Sequence, residues 1–424
     1  MPMKFNDRIS RWREPEGETV SIAIGGDICP AEDSGSPEFA AALPEVLREV
    51  KPFFDDADFR LVQWETVLSD GGAPIVKSGP NLRRPPACAA FAEALGTDLA
   101  MLANNHIGDF GPDAVMETAA HLHGRGIATV GAGKNLADAR KPWRGVVNGV
   151  RITLFNRAEN EFGGATADRA GSAPQMALAD LAEVRAAREE SDLVGVLLHG
   201  GNEYYPLPSP RLAELCRAFA DAGADFVFNC HTHIAGGVEL HNGVPIVYSP
   251  GNFYFPSLRA SKPRSVTWFG GYLVKFHCDR RGAFALELQP IQLDESGKLR
   301  LPSPAREALF FRMLEEFGAI IDDPRHLGRC FDGWCTQSGL SYMKAMYKMP
   351  PREPAPDFTD PALADTLAPV KNIFGCEAHN ELLRRTLLLI TEHRLADARR
   401  VFENEVEMFQ APAWLMPAVP EDRR

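Results

Sequence analysis

Residues 225–233, Asp225-Phe226-Val227-Phe228-Asn229-Cys230-His231-Thr232-His233, decide the fold: an apolar run of strand length gives way to two histidines. Four other stretches end in the same manner. Ser21-Ile22-Ala23-Ile24 runs into Gly25-Gly26-Asp27, Phe59-Arg60-Leu61-Val62 into Gln63-Trp64-Glu65, Leu99-Ala100-Met101-Leu102 into Asn104-Asn105-His106, and Leu193 through Leu198 into His199. Short runs rich in Val, Ile, Leu and Phe are what strands buried on both faces look like. Helical periodicity alternates with them at 38–50, 87–95, 112–125, 177–190 and 210–222, and that alternation predicts an α/β sandwich. In sheets covered by helices, ligands gather outside the carboxyl ends of strands, so these polar strand ends can converge on one crevice. Residues 268–278 and 283–293, with little between them, predict a hairpin near the sheet edge.

The 424 residues, 45% hydrophobic and 24% charged, suit a soluble globular chain of one large domain and an appendage. A formal net charge of −12 gives no general electrostatic reason to bind nucleic acid or an anionic membrane. Met1 to Thr19 hold no apolar core of signal-peptide length, and no stretch approaches the ~20 apolar residues of a membrane span, so a cytoplasmic protein is expected. The expected organisation is a tail at 1–18, a catalytic domain at 19–293 and a mainly helical extension at 294–424, where Pro302, Pro304, Pro350, Pro351, Pro354 and Pro356 punctuate the chain. A last helix at about 380–409, with Leu382, Leu383, Leu387, Leu388, Ile390 and Leu395 on its apolar face, is expected to pack over the catalytic domain or to join a homo-oligomer. The eight cysteines contain no CxxC pair and read as mostly small buried hydrophobes of a reducing compartment. Cys330 and Cys335 are open to a redox or metal pairing as well as to plain packing.

The chemistry lies in the strand ends. Asp27 and Glu65 offer charged oxygens that hold divalent cations, and Asn105 offers a neutral carbonyl oxygen. His106, beside it, is free to shuttle protons. His231 and His233 are two apart, which in extended structure turns both side chains to one face. His199 precedes Gly200-Gly201-Asn202-Glu203-Tyr204, a turn expected to set Glu203 as an orienter of the imidazole. Cys29 shares a face with Asp27 and is either a thiolate ligand or a packed apolar side chain. Substrate groups are sought in Lys77, Arg83, Arg84 and Arg157, because arginine clamps carboxylates and phosphates with parallel hydrogen bonds, and in Glu159 and Glu161.

Gly26-Asp27, Gln63-Trp64-Glu65, Ala103-Asn104-Asn105-His106 with Asp109-Phe110-Gly111, His199 to Tyr204, Cys230 to His233 and Tyr248-Ser249-Pro250-Gly251-Asn252-Phe253 stand in one order along the chain. Together they resemble the CapA family of poly-γ-glutamate capsule biosynthesis proteins, a branch of the calcineurin-like metallophosphoesterase fold, over roughly residues 19 to 293. The resemblance implies a four-layer sandwich, two packed mixed sheets flanked by helices, with the extension outside it. It implies one or two divalent metal ions, Mn, Zn or Fe. Glu65 would bridge the two, with Asn105, His199 and His231 completing one and Asp27 and His233 serving the other. His106 becomes the catalytic acid, or a donor to a developing oxyanion. The chain departs from the family in having Cys29 where the phosphatases have a histidine, Gly201 in place of Trp and Pro250 in place of Leu.

The leading expectation is a metal-dependent hydrolase in which a metal-bound hydroxide attacks a phosphoester or a peptide-like bond such as a γ-glutamyl amide. Its catalytic residues would be His106, Asp27 and Glu203, and its substrate anionic or peptide-like. A peptide epimerase of natural-product biosynthesis, with His106 and Asp27, Cys29 or Glu203 on opposite faces of an α-carbon, is the second expectation. A non-catalytic accessory of poly-γ-glutamate synthesis is the third.

Overall fold

The computed structural model describes residues 3–256, 265–347, 360 and 363–415; Pro350, Pro351, Pro354 and Pro356 lie outside the described residues. Alternation along Thr19–Ile28 sets the layering, since Ile22 and Ile24 project into one core and Ala23 into another. The first sheet runs in the order Ile9–Arg11, Gly282–Leu293, Gly270–Asp279, Thr19–Ile28, Phe59–Trp64, Leu99–Met101, Ala128–Val130. The last four of these are parallel, and the 270–293 hairpin joins antiparallel, as its spacing predicts. The second sheet runs Val238–His241, Val244–Val247, Phe226–Cys230, Leu193–His199, Val150–Ala158, Trp143–Val147. Ile24, Leu61 and Met101 of the first sheet share a core with Leu154, Val196 and Phe228 of the second. Helices Pro37–Leu47 and Pro112–His123 cover the outer face of the first sheet through Leu43, Leu47, Val115 and Leu122. Helices Ala177–Glu190 and Pro210–Asp221 cover that of the second through Val184, Leu212 and Phe219. The result is a helix–sheet–sheet–helix sandwich with all the parallel strand ends on one rim.

The helical extension shares this core. Phe317, Ile321, Phe331, Trp334, Leu382 and Leu389 belong to the same continuous apolar cluster as the inter-sheet residues, and the Trp334 ring stacks on Tyr205 at 5.2 Å. The expected single helix at 380–409 is broken: Glu377–Thr391 ends before His393, whose φ of 58° is left-handed, and Leu395–Val401 starts anew. Leu382 and Leu383 of the expected face are buried within the chain, whereas Leu387, Leu388 and Ile390 are each 38% exposed. Among the described residues no helix is long and apolar enough to cross a membrane.

The N-terminal residues are less of a tail than their polarity suggests. Ile9–Arg11 adds an edge strand along Glu287 to Ala285, and Arg13 grips the fully buried Asp279 with hydrogen bonds of 2.6 and 2.7 Å. Burial alone raises the Asp279 carboxyl, but Arg13 and the backbone N–H groups of Glu16 and Arg281 outweigh it and hold it at about 2. A carboxyl depressed in the fold stabilises above its unfolded pKa, and the benefit fades as pH falls through the folded value. Arg13→Ala is therefore expected to cost about 2 kcal/mol at pH 7, since each tenfold change in proton affinity is worth about 1.36 kcal/mol. In urea titrations the difference from wild type should shrink between about pH 4 and pH 2.

Candidate metal centre

Asp27 reaches the rim because the Thr19–Ile28 strand slips register against Phe59–Trp64 between Gly25 and Asp27. A Cβ on Gly26 would stand 2.1 Å from the Gly251 carbonyl oxygen, so only glycine lets the two segments approach. Glu65 follows its strand directly, and its backbone N–H bonds the Ile28 carbonyl at 2.9 Å. His231 and His233 come into place differently from the extended geometry their spacing predicts. The strand stops at Cys230, and both histidines have positive φ, 103° and 62°. That conformation is strained for non-glycine residues and persists only where the surroundings enforce it.

These ends meet. His199 Nε2 lies 3.1 Å from Asn105 Oδ1, 3.1 Å from His231 Nδ1 and 3.4 Å from Glu65 Oε1. His233 Nδ1 lies 3.6 Å from Asp27 Oδ2 and 3.7 Å from Glu65 Oε2. Six predicted ligands, Asp27, Glu65, Asn105, His199, His231 and His233, are thus assembled around Glu65, and all are buried. Asp27 Oδ1 and both Glu65 oxygens are buried without a hydrogen-bond partner. Burial, first of all, pushes the Asp27 carboxyl up to about 6; burial and then the charge of Asp27 raise Glu65 well above the carboxylate range. His199 is pushed well down by burial and by His231 and His233, toward the neutral imidazole that ligates metal. Orphaned carboxylate oxygens facing three imidazoles fit one or two divalent cations held by these six side chains.

His106 stands beside this cluster, its Nδ1 2.6 Å from Asp109 Oδ2. Asp109 also accepts from Lys77 Nζ at 2.6 Å and from the Leu82 N–H at 2.7 Å. Burial opposes that carboxylate, but His106 and Lys77 keep it ionised, below its usual range. Lys77, considered for substrate contact, is thereby committed to this clamp.

The other expected site residues fall elsewhere. Cys29 packs with Leu82, Phe255 and Trp268, and burial pushes its thiol up to about 12. Cys230, not singled out by the sequence, is the thiol nearer the cluster, 3.4 Å from His199 Nδ1. Glu203 is exposed on the cavity rim, while Asn105 and Cys230 hold the His199 ring. Arg83 is exposed, bonds the Gly71 carbonyl at 2.9 Å and lies over the Phe110 ring. Arg84 is buried against the Pro30 and Arg83 carbonyls. Arg157 is 1% exposed and pairs with Asp180 and Glu183 at 2.8 and 2.7 Å. All three arginines brace the fold because their polar partners are protein groups, which spacing along the chain does not reveal.

Two further contributors carry no strong signal in sequence. Asn252, within the Tyr248–Phe253 motif, pairs beside Asp27 and sets its Oδ1 2.9 Å from His233 Nδ1. The extension closes the crevice into a cavity of about 290 Å³, with Trp334, Ser338, Tyr342, Asn372, His379 and Leu382 facing Asn105, His106, Glu161 and Glu203.

A sequence model described as bacterial capsule synthesis protein PGA_cap matches residues 21–257. The chain is 28% identical over 313 residues to the capsule biosynthesis protein CapA of Bacillus anthracis, covering 72% of this chain and 74% of that one. It is 31% identical over 210 residues to the PGA biosynthesis protein CapA of Bacillus subtilis, covering 48% and 52%. It is 30% identical over 208 residues to a probable polyglutamine synthesis accessory protein of Mycobacterium tuberculosis, covering 46% and 55%. The chain therefore spans about half the length of the latter two relatives. A 5'-nucleotidase precursor structure from Thermus thermophilus superposes loosely, with a TM-score of 0.37 and 15% identity over 70% of this chain and 57% of that one. An overlap of that kind leaves chemistry to be argued from the chain's own geometry.

Removing the buried charge separates metal binding from folding. At pH 8 in chelator, Asp27→Asn is expected to stabilise the metal-free protein by on the order of 2 kcal/mol, because a carboxyl raised by burial penalises the fold once ionised. Added Mn²⁺ should then raise the melting temperature of wild type and leave the variant unmoved.

Proposed function

The chain belongs to the bacterial capsule synthesis protein family PGA_cap, and from that premise we propose that it is a metal-dependent hydrolase of a phosphoester or a peptide-like bond such as a γ-glutamyl amide. The observation that carries this reading is the set of three buried, donorless carboxylate oxygens among three histidines, next to a cavity lined by Asn105 and His106. Divalent cations held there supply Lewis acidity, which lowers the pKa of water and stabilises developing negative charge.

The chain's own residues supply the proton handling. Asp109 fixes His106 with Nδ1–H donated to its carboxylate, which leaves Nε2 as the nitrogen open to chemistry. Burial and the nearby Lys77 keep the imidazole neutral, so Nε2 takes a proton from the attacking group before returning one to the leaving group. Tyr204, Trp334, Tyr342 and Leu382 exclude bulk water and provide apolar contact. Among the described residues lining the cavity there is no arginine, and Glu161 and Glu203 add negative charge. That lining suits a compact chain end with few anionic groups better than the body of a polyanion.

The fixed His106 also supports a second reading, a peptide epimerase in which Nε2 removes an α-proton. The two part in heavy water: hydrolysis yields cleaved product, whereas epimerisation places deuterium at an intact α-carbon.

The test is turnover of a generic phosphodiester and of γ-glutamyl peptides by manganese-loaded protein. His106→Asn is expected to lower kcat about 100-fold or more while metal content stays at the wild-type value. Metal-loaded wild type that cleaves neither substrate class and exchanges no α-proton would count against catalysis and leave an accessory role of the kind named in the Mycobacterium relative.

A further inference from the structure

Beyond the six-residue cluster, the segment after the Val150–Ala158 strand meets the start of the Glu377–Thr391 helix in a second set of metal-binding side chains. Glu161, Cys376 and His379 present a carboxylate, a sulfur and an imidazole nitrogen that all lie within 4.8 Å of one another. His379 Nε2 is 3.5 Å and Cys376 Sγ 3.9 Å from Glu161 Oε1. These are poor hydrogen bonds, yet ligand atoms around a tetrahedral zinc, at bond lengths of roughly 2.0–2.3 Å, stand roughly 3.3–3.8 Å apart. We propose that Glu161, Cys376 and His379 form an additional cation site of zinc type, which joins the helical extension to the sandwich and keeps one coordination position open to the cavity.

Local structure prepares the set. Cys376 is the N-cap of its helix and His379 lies three residues on, the spacing that brings two side chains to one helical face. Cys376 is 1% exposed, and His379 Nδ1 is buried without a hydrogen-bond partner. The neighbouring carboxylate, Glu159, is engaged by Arg211, by the Ala378 N–H and by Cys376 Sγ at 3.5 Å, while Glu161 accepts from Asn105 Nδ2 at 3.0 Å through Oε2 and turns Oε1 toward His379 and Cys376. Glu161 and a Cys376 thiolate balance a dication, with His379 neutral; the thiol proton passes to water on binding. A thiolate selects borderline-soft ions such as zinc or cobalt over manganese. Three protein ligands leave a vacant fourth position, the pattern of a reactive or substrate-binding zinc site. Glu161 and His379 both line the cavity, so an oxygen of the substrate or a water can take that place. Cys376 and His379 lie outside the family match at 21–257, and the site does not depend on the hydrolase reading.

Cobalt(II) is the probe, because a thiolate ligand gives a near-ultraviolet charge-transfer band that oxygen and nitrogen ligands do not. Metal-free protein titrated with cobalt should develop this band. His233→Ala should keep it while losing metal at the main cluster; Cys376→Ser and His379→Gln should lose it together with one zinc per chain. Circular dichroism of the metal-free variants reports folding, and His379→Gln, at a partly exposed position, serves if Cys376→Ser does not fold. A wild-type protein without the band, or a band that survives in Cys376→Ser or His379→Gln, overturns the proposal.

Discussion

Two carboxylates, Asp27 and Glu65, sit fully buried beside each other with three oxygens that no protein donor satisfies, and the rest of the rim is arranged around that fact. Ionising such a pair without a partner in a protein interior costs several kcal/mol per ion, and burial accordingly raises both carboxyls. The strained backbone at His231 and His233, the glycine forced at position 26 and the Asn252 contact to His233 all lie beside these oxygens. Strain and donorless carboxylate oxygens concentrated at one place locate function more firmly than any single histidine does.

That part is legible because strand ends obey a simple rule. Apolar runs locate the strands, parallel strands point their carboxyl ends to one rim, and whatever polar residue follows must stand there, so the convergence of Asp27, Glu65, Asn105, His199, His231 and His233 follows from pattern alone. The rule says nothing about residues whose partners are distant in sequence. Arg157 reads as a substrate clamp until Asp180 and Glu183 are found against it. Glu203 reads as an orienter of His199 until the turn directs it outward to solvent. Cys29 is open in sequence between ligand and packing, and its surroundings of Leu82, Phe255 and Trp268 favour packing. The break in the last helix is equally hidden, since the apolar periodicity continues across His393 while the backbone reverses there.

The extension changes what the rim can do. On the sandwich alone the strand ends would form an open crevice, able to take the middle of a long polymer. Trp334, Tyr342, Asn372 and Leu382 close it into about 290 Å³, and the closure is anchored by polar contacts as well as apolar ones: Asn160 bonds Glu377, and Ser209 bonds Glu381. These helices share the sandwich core, so the cap belongs to the same packed unit.

A wall packed into the same core comes from a separate stretch of sequence. The residues that assemble the cluster lie within 21–257, the stretch matched to the PGA_cap family, whereas much of the cavity wall comes from residues beyond it. The polar strand ends and much of the cavity wall therefore come from different parts of the chain. On the hydrolase proposal a substrate would lie beside Tyr342 and His379, a space that fits the terminus of a peptide-like molecule better than an internal linkage. On this argument the capsule-type rim is put to use on a compact substrate, and the helices that close it determine which.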